Sequence, residues 1–104
     1  MPYGLNNTII EQINGVFKNY TELYRVILYG SRAKGDYKNS SDIDLTIIGK
    51  QLELKLTNKI ENELDDLLLP YTFDVSIYSH IKNKNLLEHI NRVGKEFYKK
   101  VESR

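Results

Sequence analysis

Polar and apolar residues alternate in two short segments, 42–48 and 72–77, and this alternation constrains the fold more than any other feature. Successive side chains of a β-strand point to opposite faces, so each segment is predicted to be a half-buried strand. The apolar residues share one face of each strand, and the other face carries the carboxylates of Asp42, Asp44 and Asp74. If both strands belong to one sheet, helices should cover the apolar face and leave the three carboxylates together on an open polar face.

Hydrophobic spacing and stop signals predict the remaining elements. The segment Thr8–Glu11 has the pattern of a capping box, which predicts a first helix from about Thr8 to Lys18. We also predict a buried strand over 25–29, a long helix over 52–68, a last helix over 85–93 and a short edge strand over 96–98. This order indicates a single α+β domain over residues 1–104, with a small mixed β-sheet and helices packed on one face.

The composition limits the functional classes. The chain has 104 residues, 40% of them apolar and 28% charged, which suits one globular core but not two. A formal net charge of +1 argues against bulk nucleic-acid binding, and the lack of cysteine excludes disulfides and thiolate zinc sites. The N-terminus lacks the pattern of a signal peptide, and no apolar run is long enough to span a bilayer. We therefore expect a cytoplasmic protein.

Two short motifs, Gly30-Ser31 and Asp42-Ile43-Asp44, are separated by ten residues and together indicate a catalytic site. Residues two apart on a strand point the same way, about 6–7 Å apart, so their carboxylates can share hard divalent cations such as Mg²⁺. A third carboxylate, from Asp74 on a neighbouring strand, would complete a two-metal site. Such a site activates an attacking hydroxyl and stabilises a departing pyrophosphate.

The first motif has the properties of a phosphate-binding turn. Gly30 lets a phosphate approach the backbone, and Ser31 would open a short helical turn that offers its hydroxyl and unpaired amides. The cations of Arg32 and Lys34 follow at once and could neutralise phosphate charge. The chain has neither a Walker A sequence nor a Gly-x-Gly-x-x-Gly motif, so the P-loop and Rossmann interpretations are set aside.

The segments Leu28–Gly35 and Ser41–Leu45 resemble the signature of the minimal nucleotidyltransferases, within the DNA polymerase β-like superfamily. The resemblance covers nearly the whole chain and implies that small fold. It also implies Mg²⁺-dependent transfer of AMP from ATP to a hydroxyl. Members of this family, the MntA-like antitoxins, are paired with HEPN-type toxins and transfer AMP to a toxin tyrosine. The resemblance therefore implies a HEPN-type toxin as partner and an antitoxin role.

The resemblance also implies a role for each motif residue. Gly30 and Ser31 would bind the nucleotide phosphates, and the metal ligands would be Asp42, Asp44 and Asp74. Larger relatives carry an extra helical domain that helps hold the second substrate, so we expect a partner protein or a second copy to complete the site. Two other functions stay open: transfer to a small molecule or an RNA end, and a non-catalytic antitoxin that acts by occlusion.

Two tyrosines and the two histidines complete the set of candidate residues. Tyr29 is expected to pack at the end of its strand, and Tyr37 is placed near the nucleotide or a partner. His80 and His89 lack the grouping of metal ligands, so we interpret both as structural or exposed.

Overall fold

The computed structural model describes residues 1–101 and contains one four-stranded sheet. Its strands are β1 (Leu23–Tyr29), β2 (Ile43–Gly49), β3 (Phe73–Ile77) and β4 (Lys95–Lys99). The helices are α1 (Asn7–Phe17), α2 (Gly30–Lys34), α3 (Leu54–Asp65) and α4 (Lys84–Val93), with short 3-10 turns at Pro2–Gly4 and Tyr78–His80. The strand order is β3-β2-β1-β4, with β2 and β3 parallel and the other pairs antiparallel. The α+β class and the mixed sheet are therefore confirmed.

Helices α1 and α3 cover one face of the sheet and form the main core with it. Helix α3 connects β2 to β3, since two parallel neighbours need a crossover rather than a tight turn. The fully buried members of this core are Leu5, Ile13, Phe17, Leu23, Val26, Leu28, Ile43, Leu45, Ile47, Ile60 and Leu64. Each such side chain contributes about 1.5–3 kcal/mol through burial, so this face fixes the orientation of β2 and β3.

Helix α4 packs on the other face, over β1, which differs from the prediction of helices on one face only. Ile90 of α4 is buried against Ile27 and Tyr29, two residues of β1 whose side chains point away from the main core. Because β1 is apolar on both faces, it requires a cover on both. Thr46, which the alternation places on the polar face, is fully buried. The open part of this face is therefore smaller than predicted and lies beside Asp44 and Asp74.

The element boundaries agree with the sequence analysis to within a few residues, with one correction at the first helix. The capping-box prediction at Thr8 was wrong, because α1 begins one residue earlier and Asn6 is its cap. The Asn6 side chain accepts a hydrogen bond of 2.8 Å from the amide of Ile9. The predicted edge strand is confirmed and longer, and it pairs with β1. Within residues 1–101, no helix has the length and apolar character needed to cross a membrane.

Candidate active site

The carboxylates lie beside one another on the open part of the second sheet face. Asp44 is opposite Asp74 on β3 and opposite Tyr29 on β1, so the three residues form one row across the sheet. Asp42 immediately precedes β2, two residues before Asp44. Asp42 and Asp74 are exposed, and Asp44 is half-buried. The structure therefore brings the three predicted carboxylates to one place, as the alternating pattern required.

The electrostatics of this row favour a bound cation. Burial raises the pKa of Asp44 to about 6, and the negative charges of Asp74 and Asp42 contribute further to the increase. Among the ion pairs within residues 1–101, none involves any of the three carboxylates. Like charges close together without a cationic partner are unfavourable, so a cation from outside the chain would relieve their repulsion.

The donor set fits Mg²⁺ bound together with a nucleotide. Over the described part of the chain, no three acidic, histidine or cysteine side chains are grouped so as to enclose an ion by themselves. Mg²⁺ usually binds to one or two carboxylates and completes its coordination with phosphate oxygens and water. An open row of carboxylates leaves room for these additional oxygen ligands.

The Gly30-Ser31 turn contacts this row directly. Gly30 follows the extended Tyr29, has φ of +75° and begins α2. A Cβ atom added to Gly30 would overlap Oδ2 of Asp44 and displace that carboxylate, and the positive φ also favours glycine at this position. The two predicted motifs, separated by ten residues in the sequence, are thus in van der Waals contact in the fold.

Arg32 is placed differently from the phosphate contact that was expected. Its side chain is 2% exposed, and its guanidinium donates hydrogen bonds to the carbonyls of Tyr3 (2.9 Å), Ser41 (3.1 Å) and Asn39 (3.2 Å). The rings of Tyr37 and Tyr71 lie 5.3 and 4.9 Å from its central carbon. Since each guanidinium nitrogen already has a protein acceptor, we propose that Arg32 fixes the loop before Asp42 rather than binding phosphate.

Comparison with known proteins identifies the family. The sequence profile described as "Polymerase beta, Nucleotidyltransferase" matches residues 11–103, a range that includes both motifs and Asp74. The chain belongs to this nucleotidyltransferase family. A protein of Methanocaldococcus jannaschii named as a protein adenylyltransferase is 35% identical over 78 residues, which cover 72% of this chain and 79% of that protein.

Solved structures show the same fold. A crystal structure of a toxin–antitoxin with AMP-PNP has a TM-score of 0.71 and 21% identity, covering 92% of this chain and 75% of that chain. A complex described as a tri-AMPylated Shewanella oneidensis HEPN toxin with an MNT antitoxin has a TM-score of 0.69 and 16% identity. That match covers 92% of this chain and 74% of the other. At these identities the likeness is evidence for a nucleotidyltransferase fold.

Lys34 of this nucleotidyltransferase is, after Arg32, the other cation predicted to contact phosphate. Its side chain is 55% exposed, and its ammonium lies 3.5 Å from the carboxylate of Asp36, which is also exposed. An exposed ion pair of this kind contributes little, so the ammonium can turn toward another anion at small cost. A contact between Lys34 and the triphosphate stays a prediction.

Two residues that border this candidate site were not predicted to belong to it. The imidazole of His89 on α4 accepts a hydrogen bond of 3.0 Å from the amide of Gly30. Burial raises the pKa of the Tyr29 hydroxyl, the nearby Ser76 opposes this, and the charges of Asp74 and Asp44 reinforce it. Tyr29 is packed at the strand end as expected, but it also borders the carboxylates. No local pattern links His89 to Gly30, because 59 residues separate them.

The Gly30 contact leads to a prediction about stability. Gly30→Ala should lower the free energy of unfolding by about 1–3 kcal/mol, because its Cβ would displace the Asp44 carboxylate and alanine disfavours positive φ. Gly15→Ala is the matched control, since Gly15 lies inside α1 with no atom within 4 Å of an added Cβ. That control should gain about 0.5–1 kcal/mol through helix propensity. Thermal unfolding of both variants measures the difference, and equal changes in the two would contradict the crowding argument.

Proposed function

We propose that this protein is a Mg²⁺-dependent adenylyltransferase that moves AMP from ATP to a tyrosine hydroxyl of a HEPN-type toxin and thereby acts as its antitoxin. The observation that carries this proposal is the contact between the Gly30-Ser31 turn and the carboxylate row of Asp44 and Asp74. This contact supports the proposal, because nucleotidyl transfer requires phosphate ligands and metal ligands to lie side by side.

Each part of the site has a role in this reaction. Gly30 would let the triphosphate approach the backbone, and Ser31 would bind it through its amide and hydroxyl, with Lys34 as an added charge. Asp42, Asp44 and Asp74 would hold Mg²⁺, in a two-metal site as predicted. The acceptor oxygen attacks the α-phosphorus, the bond to the bridging oxygen breaks, pyrophosphate leaves, and the hydroxyl proton passes to solvent. Mg²⁺, when bound, would neutralise charge on the phosphates and lower the pKa of the attacking hydroxyl.

The exposure of the carboxylates supports an acceptor carried by another protein. Asp42 and Asp74 are exposed, so the row opens outward rather than into a cavity within residues 1–101. A macromolecular acceptor can close such a site and bring its hydroxyl in line with the α-phosphate. The relative named as a protein adenylyltransferase and the structures named as toxin–antitoxin complexes support a protein acceptor of this type. We also propose that residues 1–104 act as one catalytic domain in the cytoplasm, where ATP is available.

The test is mass spectrometry of the proposed HEPN-type toxin partner, after incubation with the protein, ATP and Mg²⁺. We expect a mass increase of one or more AMP groups on toxin tyrosine, and loss of the toxin's activity in parallel. The Asp42→Asn/Asp44→Asn double variant is the matched control and should produce no mass increase.

The outcomes separate this proposal from its alternatives. Silencing of the toxin by the double variant, with no mass increase on any sample, would show an antitoxin that acts by occlusion. AMP incorporation into added RNA or a small hydroxyl compound, but not into the toxin, would identify a different acceptor. Either result would overturn the proposed acceptor, and only the first would overturn catalysis as the basis of silencing.

A further inference from the structure

The amide of Gly30 has an unusual partner. Amides in the first turn of a helix have no partner within that helix, and such groups are normally left to solvent, caps or ligands. At the start of α2, the Gly30 N–H donates instead to Nε2 of His89, at 3.0 Å. Nε2 of His89 is the acceptor in this hydrogen bond, so a side chain from a distant helix caps the first turn of α2.

His89 is held in place by a ring contact of its own and by the burial of the next residue. Its ring meets the Tyr29 ring edge to face, with centroids 6.3 Å apart and an interplanar angle of 79°. The next residue, Ile90, is 4% exposed and is buried against Ile27 and Tyr29. Helix α4 is thus anchored on β1, and His89 reaches α2 from a fixed position.

Gly30 lies between the imidazole of His89 and the carboxylate row. Its amide donates to His89, and its Cα lies so close to Asp44 that an added Cβ would overlap Oδ2 of that carboxylate. Glycine adopts positive and negative φ with similar ease, so an external restraint is needed to hold the backbone of Gly30 at its φ of +75°. The hydrogen bond to His89 supplies that restraint.

We propose that His89 is a positioning residue for the nucleoside triphosphate. By engaging the Gly30 amide, it fixes the turn between β1 and α2, so that the amide and hydroxyl of Ser31 face the phosphates beside Asp44. This inference rests on the proposed nucleotidyl transfer for its catalytic consequence, but not for the hydrogen bond or for nucleotide binding. His89 touches no reacting atom, and its effect on the reaction passes through Gly30.

Two variants of His89 test this role. His89→Phe keeps a ring against Tyr29 and removes the acceptor, whereas His89→Gln keeps an amide oxygen that can accept from Gly30. We expect His89→Phe to weaken the binding of Mg²⁺ with AMP-PNP about tenfold and to lower kcat about tenfold, with His89→Gln within about threefold of wild type. Glu88→Gln is the control on the same helix, since the Glu88 carboxylate forms an exposed ion pair with Arg92; it should change neither quantity.

A readout independent of catalysis is hydrogen exchange at the Gly30 amide, measured by NMR without nucleotide. Exchange should accelerate in His89→Phe and remain slow in His89→Gln and Glu88→Gln. Equal exchange in all four proteins, or unchanged AMP-PNP affinity in His89→Phe, would overturn the positioning role. If wild-type protein transfers no AMP while Gly30 exchange and AMP-PNP binding respond as expected, the proposed acceptor fails and the role of His89 stands.

Discussion

Replacing Asp44 with asparagine is expected to stabilise the protein at neutral pH and at the same time abolish nucleotidyl transfer. Burial and the charges of Asp74 and Asp42 raise the pKa of Asp44 to about 6, which means that its ionised form is disfavoured in the folded state. The asparagine side chain would keep the shape of the carboxylate and remove its charge. Because the group is partly exposed and screened by solvent, we expect a gain of about 1–2 kcal/mol and an increase in Tm of about 5–10 °C.

The sign of the pH dependence follows from the raised pKa. Below the unfolded value, 3.8, both states of the wild type bind the proton, and Asp44 imposes no cost. As the pH rises through about 6, the folded state must release a proton it holds more tightly than the unfolded state does, so stability is lost. The Tm difference between Asp44→Asn and wild type should therefore be largest above about pH 7 and vanish below about pH 4.

Thermal unfolding from about pH 4 to about pH 8, with and without Mg²⁺ and AMP-PNP, measures this prediction. Glu11→Gln is the control, because Glu11 is an exposed acid on α1 and its removal should change the stability by less than about 0.5 kcal/mol. Mg²⁺ with AMP-PNP should raise the Tm of wild type and not that of Asp44→Asn. A lower Tm for Asp44→Asn at the alkaline end of this range would show that the carboxylate is satisfied by the protein itself.

Loss of Arg32 should destabilise the protein more than loss of any other charged side chain in the described chain. Arg32→Met keeps the apolar stem but leaves the carbonyls of Tyr3, Asn39 and Ser41 without their donor. We expect the free energy of unfolding to fall by about 3 kcal/mol or more, and Tm by more than about 10 °C. Arg32→Lys should recover only part of this loss, because one ammonium cannot reach three carbonyls held in different directions.

Arg25→Met provides the matched control for Arg32. Arg25 forms a 2.7 Å ion pair with Glu96, but the two side chains are 47% and 42% exposed, so its loss should change the stability by less than about 1 kcal/mol. Chemical denaturation of the three variants gives the comparison. Unchanged stability of Arg32→Met, together with a loss of AMP-PNP affinity, would assign Arg32 to the phosphates after all.

The site could be predicted from the sequence where the chain encodes it locally. Alternation over 42–48 and 72–77 determines which way each residue faces, so Asp44 and Asp74 could be placed on one sheet face from the sequence alone. The register that puts them directly opposite each other depends on the packing of α3, which local pattern does not specify. The helix α1 is capped by Asn6 instead of Thr8. Local pattern does not decide between them, because both residues are competent caps.

The remaining differences come from long-range contacts. Arg32 lies two residues after Gly30, and this position suggested a contact with phosphate. No local pattern indicates that Tyr3 and Tyr71 approach its guanidinium from distant segments. His89 reaches Gly30 because α4 packs on β1, and that packing follows from the apolar residues of β1 on the face opposite the main core. The unbroken apolar run Val26–Tyr29 indicates that β1 is buried on both faces. This run could have predicted a helix on each face of the sheet.

The parallel pairing of β2 with β3 has a consequence for the folding of this chain. Asp44 and Asp74 become neighbours only when α3 has crossed the sheet, so 29 intervening residues, 45–73, must be ordered before the carboxylates meet. That closure costs chain entropy, and the mutual repulsion of the carboxylates opposes it further. Helices can therefore form in this chain before the row of carboxylates is assembled. Recovery of Mg²⁺-dependent nucleotide binding after dilution from denaturant would report completed topology, whereas recovery of circular dichroism would report only local structure.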